Sequence, residues 1–357
     1  MFLKNCWYVA AWTHEVTADT LLGRTLAGIP ILLWRDSTGS IIAFEDLCCH
    51  RGAPLSHGRR EGDSVRCMYH GLRFDRSGVC IEIPSQQHIP PQARVRRFAA
   101  VERHRWIWIW LGDPALADAA GIPDTHYLDD AGWRGIPGYL HYDASYLLIT
   151  DNLLDFSHLS YVHEKTLGGG GHRYAQYAPR ITRLERGVRV ERWLIDDAPA
   201  PFLADLKTWP GNVDRWNIYD LTVPGVMLMD SGSAPTGTGA PEGRRVDAAE
   251  FFGCQAVTPE TERSSHYFFQ QSHNFSLDDP AVTRSLTHSV LAGFDEDRQI
   301  ILAQQRSLDL RPDFRMLGLR MDTALGLYRR KLEQLIQAEQ QESAAALHGQ
   351  LEVDAGE

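Results

Sequence analysis

A chain of 357 residues is long enough for two domains, each with its own core. Its hydrophobic fraction of 43% and charged fraction of 23% are ordinary for a soluble globular protein. The formal charge of −10 argues against nucleic acid or an anionic membrane as partner, and six cysteines are too few for a disulfide scaffold at this length.

The opening Met1-Phe2-Leu3-Lys4-Asn5-Cys6-Trp7-Tyr8 lacks the basic-then-apolar pattern of a secretory signal. No run approaches the ~18 apolar residues of a membrane helix. Cys6, Cys80 and Cys254 read as reduced structural residues, and a reducing cytoplasm is the expected compartment.

From residue 1 to about 112 the chain reads as short strands. Ile31–Trp34 and Ile41–Phe44 flank the polar turn Asp36–Ser40, a hairpin signature. Between such strands lies Cys48-Cys49-His50, then sixteen residues, then Cys67-Met68-Tyr69-His70. Each of these two loops offers one thiolate and one imidazole. That donor set suits a Rieske-type [2Fe-2S] cluster, where cysteines hold one iron and histidines the other. A tetrahedral zinc site is the alternative, though zinc sites more often pair like ligands, as in C-x2-C with H-x3-H. Cys49, between two donors on extended backbone, points elsewhere and reads as a small packed residue; His57 matches no ligand position.

Arg94, Arg96, Arg97, Arg103 and Arg105 could dock an acidic electron donor or simply form a solvated strand face. Trp106, Trp108 and Trp110 share one face of an apolar strand that Gly112-Asp113-Pro114 ends. The Pro-, Gly- and Asp-rich stretch from about 113 to 138 reads as an interdomain connection.

Helical stretches are expected at about 145–162, 279–308 and 322–341, and strands around 180–195, 216–229, 246–257 and 264–275. In the first helical stretch Asp151, Asp155 and His158 fall within roughly 60° of one face. His163 falls outside that arc, and joins His158 only if the helix ends or bulges near Ser160. Asp151 is equally a helix N-terminal acid. Gly168–Gly171 is a flexible point without the context of a nucleotide-binding loop. Ser231–Pro241 is rich in Gly, Pro and small polar residues and is expected to form a long mobile loop.

On the late helix Leu286, Val290, Phe294 and Ile301 share a face, and Asp297 lies about 20° from Leu286 within that stripe. A carboxylate aimed into a core is costly unless it meets a cation or several donors. Asp297 is therefore the carboxylate singled out on this helix, while Asp295 and Glu296 project elsewhere and are expected to be solvated. His266, His273, Asn217 and Gln255 are possible pocket donors and Trp209, Trp216 and Phe268 possible ring walls; each is equally an ordinary sheet or core residue.

The run Cys48-Cys49-His50-Arg51-Gly52-Ala53-Pro54-Leu55, with Cys67-Met68-Tyr69-His70-Gly71, resembles the cluster motif of Rieske non-haem iron oxygenases. Asp151–His163 resembles the mononuclear iron motif of the same family. The likeness covers nearly the whole chain. The opening Asn5–Trp12 and the insert Thr236–Arg245 are similar to the branch of vanillate O-demethylase and toluenesulfonate methyl-monooxygenase oxygenase components, the insert leaning to the latter.

This resemblance implies an α+β chain. An N-terminal all-β Rieske domain over residues 1–115 is followed by a helix-grip (START-like) catalytic domain with an antiparallel sheet over 116–357, its tail disordered after about 342. It implies Cys48 and Cys67 on one cluster iron, His50 and His70 on the other. His158 and His163, with a carboxylate that the family places on the late helix, here Asp297, would hold a mononuclear Fe(II). Asp155 would bridge a cluster histidine of a neighbouring subunit and this site's own histidine, and Asn152 would stand near the iron. The implied enzyme is the terminal oxygenase of a multicomponent Rieske monooxygenase that hydroxylates a methyl, or O-demethylates a methoxy, of a toluenesulfonate- or vanillate-like aromatic acid. A cis-dihydroxylating ring dioxygenase is the alternative. A Rieske electron-transfer protein without oxygenase activity, holding two irons per chain, is a further one.

No G-x-G-x-x-G follows an early strand, so nicotinamide or flavin chemistry is not expected within this chain. Electrons would come from NAD(P)H through a separate flavin/[2Fe-2S] reductase or a ferredoxin. O2 is the co-substrate, and the branch is typically a homotrimer.

Overall fold

The computed structural model describes residues 1–164, 166–167, 176–203 and 206–354. Gly168–Gly171 lies outside them. The chain divides into two compact units: Phe2–Asp124 with Thr258–Glu262, and Met1, Thr125–Val257 and Arg263–Glu357.

The first unit is all β. Strands β1 (Trp7–Trp12), β2 (Leu22–Leu26), β3 (Ile29–Arg35), β4 (Ile41–Glu45), β9 (Arg97–Arg103) and β10 (Trp106–Trp110) form a six-stranded sheet in the order β1-β10-β9-β4-β3-β2. The short β5 (Arg59–Arg60), β6 (Ser64–Arg66), β7 (Arg73–Asp75) and β8 (Cys80–Glu82) form a second sheet. The expected hairpin is β3–β4, with Leu32 opposite Phe44. Its turn is held by Asp36, whose carboxylate accepts from the Thr38 hydroxyl at 2.6 Å and the Ser40 amide at 3.0 Å. Every residue of β10 is buried, not one face alone, because strands with two covered faces read as continuous apolar runs. Arg96 lies over the Phe98 ring and Arg103 donates to the Ala119 carbonyl, so these two arginines are tied into their own unit.

The second unit is built on an antiparallel sheet of seven strands: β11 (Gly138–Tyr142), β12 (Arg180–Leu184), β13 (Gly187–Asp197), β14 (Val213–Thr222), β15 (Val226–Pro235), β16 (Ala249–Thr261) and β17 (Ser264–His273). Their order is β11-β17-β16-β15-β14-β13-β12. Helices α1 (Tyr146–Leu154), α2 (Pro280–Leu310) and α3 (Thr323–Asp354) pack with it. Asp279 caps α2 by accepting from the Ala281 amide, with Pro280 in the first turn. The last helix continues to Asp354, past the point near 342 where a disordered tail is expected. No helix among the described residues is long and apolar enough to cross a membrane.

The stretch Ser231–Pro235 corrects a sequence expectation: it is the second half of β15, not a loop. Its residues are small because the site is crowded. A Cβ on Gly232 would stand 2.3 Å from Trp216 Cζ2 and 2.6 Å from the Ala249 carbonyl oxygen. Composition alone suggests a loop, whereas the cross-strand neighbours demand small residues in a strand.

Candidate active site

Two loops of the first unit carry the Cys-His pairs, and they are built alike. Cys48 N donates to the Ala53 carbonyl at 2.8 Å and Gly52 N to the Cys48 carbonyl at 2.9 Å. In the second loop Cys67 N donates to the Leu72 carbonyl at 2.8 Å and Gly71 N to the Cys67 carbonyl at 2.9 Å. Gly52 and Gly71 close the two turns at φ +69° and +78°, which L side chains rarely adopt.

Cys48 and Cys67 are buried in the core, while His50 and His70 are exposed with ring centroids 4.4 Å apart. Burial pushes the Cys48 thiol up to about 12, and the adjacent Cys67 thiol adds to it. A bound cation reverses that balance, since metal-bound thiols are deprotonated. The donors form an inner sulfur pair and an outer nitrogen pair. This fits a cluster with two sulfur-held and two nitrogen-held positions better than one tetrahedral zinc. Cys49 is exposed, and so is His57.

The second site is assembled by a break in α1. The helix ends at Leu154, and Asp155 adopts extended backbone with φ −123° and ψ 93°. Its carboxylate then accepts from Ser157 N at 2.9 Å and Ser157 Oγ at 2.8 Å, starting a 3-10 turn, Phe156–Ser160. The break comes five residues earlier than expected, at Asp155 rather than Ser160, and it lets His158 and His163 face one point. Asp297 arrives from α2.

His158, His163 and Asp297 each place one donor atom within 4.8 Å of the others, the only such convergent group of three among the described residues. Asp297 Oδ1 lies 3.3 Å from His158 Nε2 and 3.1 Å from His163 Nε2. Burial raises the Asp297 carboxyl, but hydrogen bonds and charge from His158 and His163 outweigh it and hold the group at about 2. For His163, burial works against the charged form, but Asp297 and Glu296 outweigh it and raise the pKa. Two imidazole nitrogens and a carboxylate on one side of a cavity match a facial triad with positions left open.

The neighbours of these residues set their tautomers. His158 Nδ1 donates to the main-chain carbonyl of Asp155 at 2.5 Å, so the link expected from the Asp155 carboxylate runs through its backbone. His163 Nδ1 donates to Glu296 Oε2 at 2.8 Å, and Thr166 Oγ1 donates to the same oxygen at 2.6 Å. Glu296, 32% exposed, therefore has a partner besides solvent, and it orients His163. Nothing in the helical period marks it, because its role depends on where His163 folds. Asn152 Nδ2 donates to Asp297 Oδ1 at 2.9 Å. Asp151 lies within α1 rather than at its N-terminus and pairs with Arg329 of α3, Arg329 Nε to Asp151 Oδ1 being 2.8 Å. At Gly293 a Cβ would stand 2.3 Å from Leu167 Cδ1, so α2 passes closely there because it has no side chain.

A cavity of about 150 Å3 opens on the triad. That is about the size at which a protein cavity takes one benzene ring. Phe156, Phe251, Val290, Phe294, Met227 and Met229 supply apolar wall. Of the expected pocket residues, Asn217, Gln255 and Trp216 line it. His266 instead meets the Tyr139 hydroxyl at 2.9 Å, and His273 meets Thr283 at 2.8 Å. Trp209 donates to the Asp247 carbonyl, and Phe268 packs beside Tyr139; neither lines the cavity. Sequence reasoning missed Arg215, Ser231, Ser233 and Gln271. The period of two would place Arg215 beside Asn217 on one strand face.

Paired Cys-His loops in one unit and a convergent His-His-Asp triad in the other supply the donor sets of a two-centre iron oxidoreductase. Residues 6–98 match the Rieske [2Fe-2S] domain, and residues 142–338 match the vanillate O-demethylase oxygenase C-terminal domain. The chain is 47% identical to the toluene-4-sulfonate monooxygenase system iron-sulfur subunit TsaM1 of Comamonas testosteroni, over 95% of this chain and 98% of that protein. It is 38% identical to the dicamba O-demethylase oxygenase component of Stenotrophomonas maltophilia, over 85% of this chain and 88% of that one. The crystal structure of dicamba monooxygenase bound to 3,6-dichlorosalicylic acid superposes with a TM-score of 0.87 at 34% identity, covering 96% of this chain and 99% of that chain.

The chain belongs to the Rieske non-haem iron oxygenase family, in the branch of the toluenesulfonate monooxygenase and vanillate O-demethylase oxygenase components. It is a Rieske-type monooxygenase component.

Proposed function

We propose that this oxygenase hydroxylates a methyl group, or removes a methyl from a methoxy group, on a single-ring aromatic acid of toluenesulfonate or vanillate type. The observation that carries this reading is the convergence of His158, His163 and Asp297 on one end of a ring-sized, largely apolar cavity. In this reading residues 1–115 form the electron-receiving domain and 116–357 the catalytic domain. Cys48 and Cys67 hold one cluster iron, His50 and His70 the other. A mononuclear Fe(II) held by His158, His163 and Asp297 would supply O2 activation, with the cluster delivering electrons one at a time.

The residues around that iron have separable tasks. With a metal bound, the Asp155 carbonyl and Glu296 would hold the Nδ1 protons of His158 and His163, leaving Nε2 of each free to ligate. Asn152 donates to Asp297 and fixes its carboxylate plane. Phe251, Val290 and Phe294 exclude water and orient the ring. Asp155 serves electron transfer toward a cluster histidine of a second copy, which requires a homotrimer with head-to-tail contacts. The electron donor is a flavin/[2Fe-2S] reductase or a ferredoxin fed by NAD(P)H, and the compartment is the cytoplasm.

Metal analysis and turnover test the reading together. Purified protein should contain three irons and two acid-labile sulfides per chain. With a surrogate reductase it should oxidise members of a panel of methyl- and methoxy-substituted benzoates and benzenesulfonates. Under 18O-labelled dioxygen one labelled atom should enter the hydroxymethyl product; two labelled atoms would establish a ring dioxygenase instead. Zinc, or no iron beyond the cluster pair, would overturn the assignment.

A further inference from the structure

We propose that, within the oxygenase reading above, Arg215 and the hydroxyls of Ser231 and Ser233 form a subsite for the ring's sulfonate or carboxylate. This subsite sits at the end of the cavity opposite the metal site, and so selects a substrate whose oxidised group lies para to the acid.

Apart from the metal-site histidines, Arg215 is the one basic side chain among the described residues lining the cavity. Asp197 Oδ2 stands 3.9 Å from its Nη1, beyond hydrogen-bond distance. A guanidinium has five donors, so it can serve a wall carboxylate and a ligand oxyanion together. Ser231 and Ser233 are 7% and 2% exposed and line the same cavity. A hydroxyl that lines a cavity can donate its proton to a ligand oxygen.

The strand register places these groups together. Arg215 lies opposite Ser233, and Asn217 opposite Ser231, all on the sheet face that lines the cavity. Gly232, between the serines, lets β15 lie close to Trp216. Small side chains at 231 and 233 leave the volume in front of Arg215 open.

Two measures set the distance from this end to the metal end. Ser233 also lies opposite Ala249, which packs with Leu286 of α2. From Leu286 to Asp297 the helix rises about 16 Å. Along β14, Arg215 is about 13 Å from Tyr219. Tyr219 packs against Phe156, with ring centroids 4.5 Å apart, two residues before His158. The Arg215 guanidinium approaches Asp197, which lies opposite Val213, so the acid end stays at the far side of the cavity from Tyr219. With the acid held at this end, a para methyl reaches furthest toward the metal end, while an ortho methyl lies beside the walls.

Binding calorimetry on the metal-loaded protein tests this with three probes. These are 4-methylbenzenesulfonate, 4-methylbenzoate and the neutral methyl 4-tolyl sulfone. Wild type should bind at least one anion about tenfold more tightly than the sulfone, and the ratio of the two anions tells sulfonate from carboxylate preference. Arg215→Gln should weaken that anion about tenfold and leave the sulfone unchanged. The Ser231→Ala/Ser233→Ala double variant should weaken it by a factor of about three to ten. Of the 2-methyl and 4-methyl sulfonates, only the 4-methyl isomer should be oxidised efficiently.

Unchanged anion affinity in Arg215→Gln, or equal wild-type affinity for sulfone and anion, overturns the subsite. If Arg215→Gln does not fold by circular dichroism, Arg215→Lys and the serine pair decide, and unchanged anion affinity in both overturns it. Iron content and the cluster spectrum report the oxygenase reading separately. Their loss with Arg215-dependent binding retained sinks that reading alone; their presence with Arg215-independent binding sinks the subsite alone.

Discussion

Glu296 Oε2 accepts a hydrogen bond from His163 Nδ1 at 2.8 Å, and His163 Nε2 is thereby turned toward Asp297, 3.1 Å away. A carboxylate behind a ligating histidine fixes its tautomer and raises its basicity. Glu296→Ala should lower mononuclear iron affinity by about 10- to 100-fold while the cluster absorbance stays intact. Iron retained after dialysis against a chelator measures this. Retention equal to wild type would show that His163 is oriented without its partner.

The triad itself predicts a cleaner separation of the two metal centres. His158→Ala or Asp297→Ala should abolish mononuclear iron and turnover, because two donors cannot hold the ion in a facial geometry. The visible spectrum should be that of wild type, since both residues belong to the second unit. Turnover retained by either variant would refute the assignment.

Gly232 tests packing rather than chemistry. An alanine there brings a Cβ to 2.3 Å from Trp216 Cζ2 and 2.6 Å from a main-chain oxygen. The backbone atom cannot yield cheaply, so Gly232→Ala should destabilise the second unit by about 1–3 kcal/mol. Urea denaturation followed by tryptophan fluorescence reads the loss. An unchanged midpoint would mean that β15 shifts without cost.

His273 gives a pH dependence. It is fully buried, Nδ1 donates to the Phe275 carbonyl at 2.7 Å, and Nε2 accepts from Thr283 Oγ1 at 2.8 Å. Burial lowers its pKa, with Arg134 adding in the same direction against the Phe275 hydrogen bond. The unfolded state then binds the proton more readily, near the ordinary value of about 6.5. Stability from the neutral form is complete above that value and is lost as pH falls below it toward the lowered folded pKa. Thermal melts between about pH 7.5 and 5 should fall more steeply for wild type than for His273→Asn. Parallel slopes would remove His273 from the acid response.

Much of this protein is legible along the chain because local spacing constrains local geometry. Each cysteine and histidine of the Rieske motif lies within a few residues of its partner, and Gly52 and Gly71 mark the turns. The helical period isolates Asp297 because a carboxylate inside an apolar stripe demands a partner. The residues that face Asp297 are a different matter. Glu296 looks solvent-facing until His163 folds against it, and Ser231–Pro235 looks like a loop until Trp216 and Ala249 are placed beside it.

The amino-acid order by itself determined the two iron-binding motifs, the two-part plan and the family, since these are carried by spacing, period and residue chemistry over short stretches. Only the tertiary structure decided where α1 breaks, which acidic residue supports His163, and which polar side chains share the cavity with the triad. The last two relationships join residues 130 or more positions apart, such as His163 and Glu296, or depend on strand register, as with Arg215 and Ser233. Contacts of that kind are set by packing between elements, which no local pattern encodes.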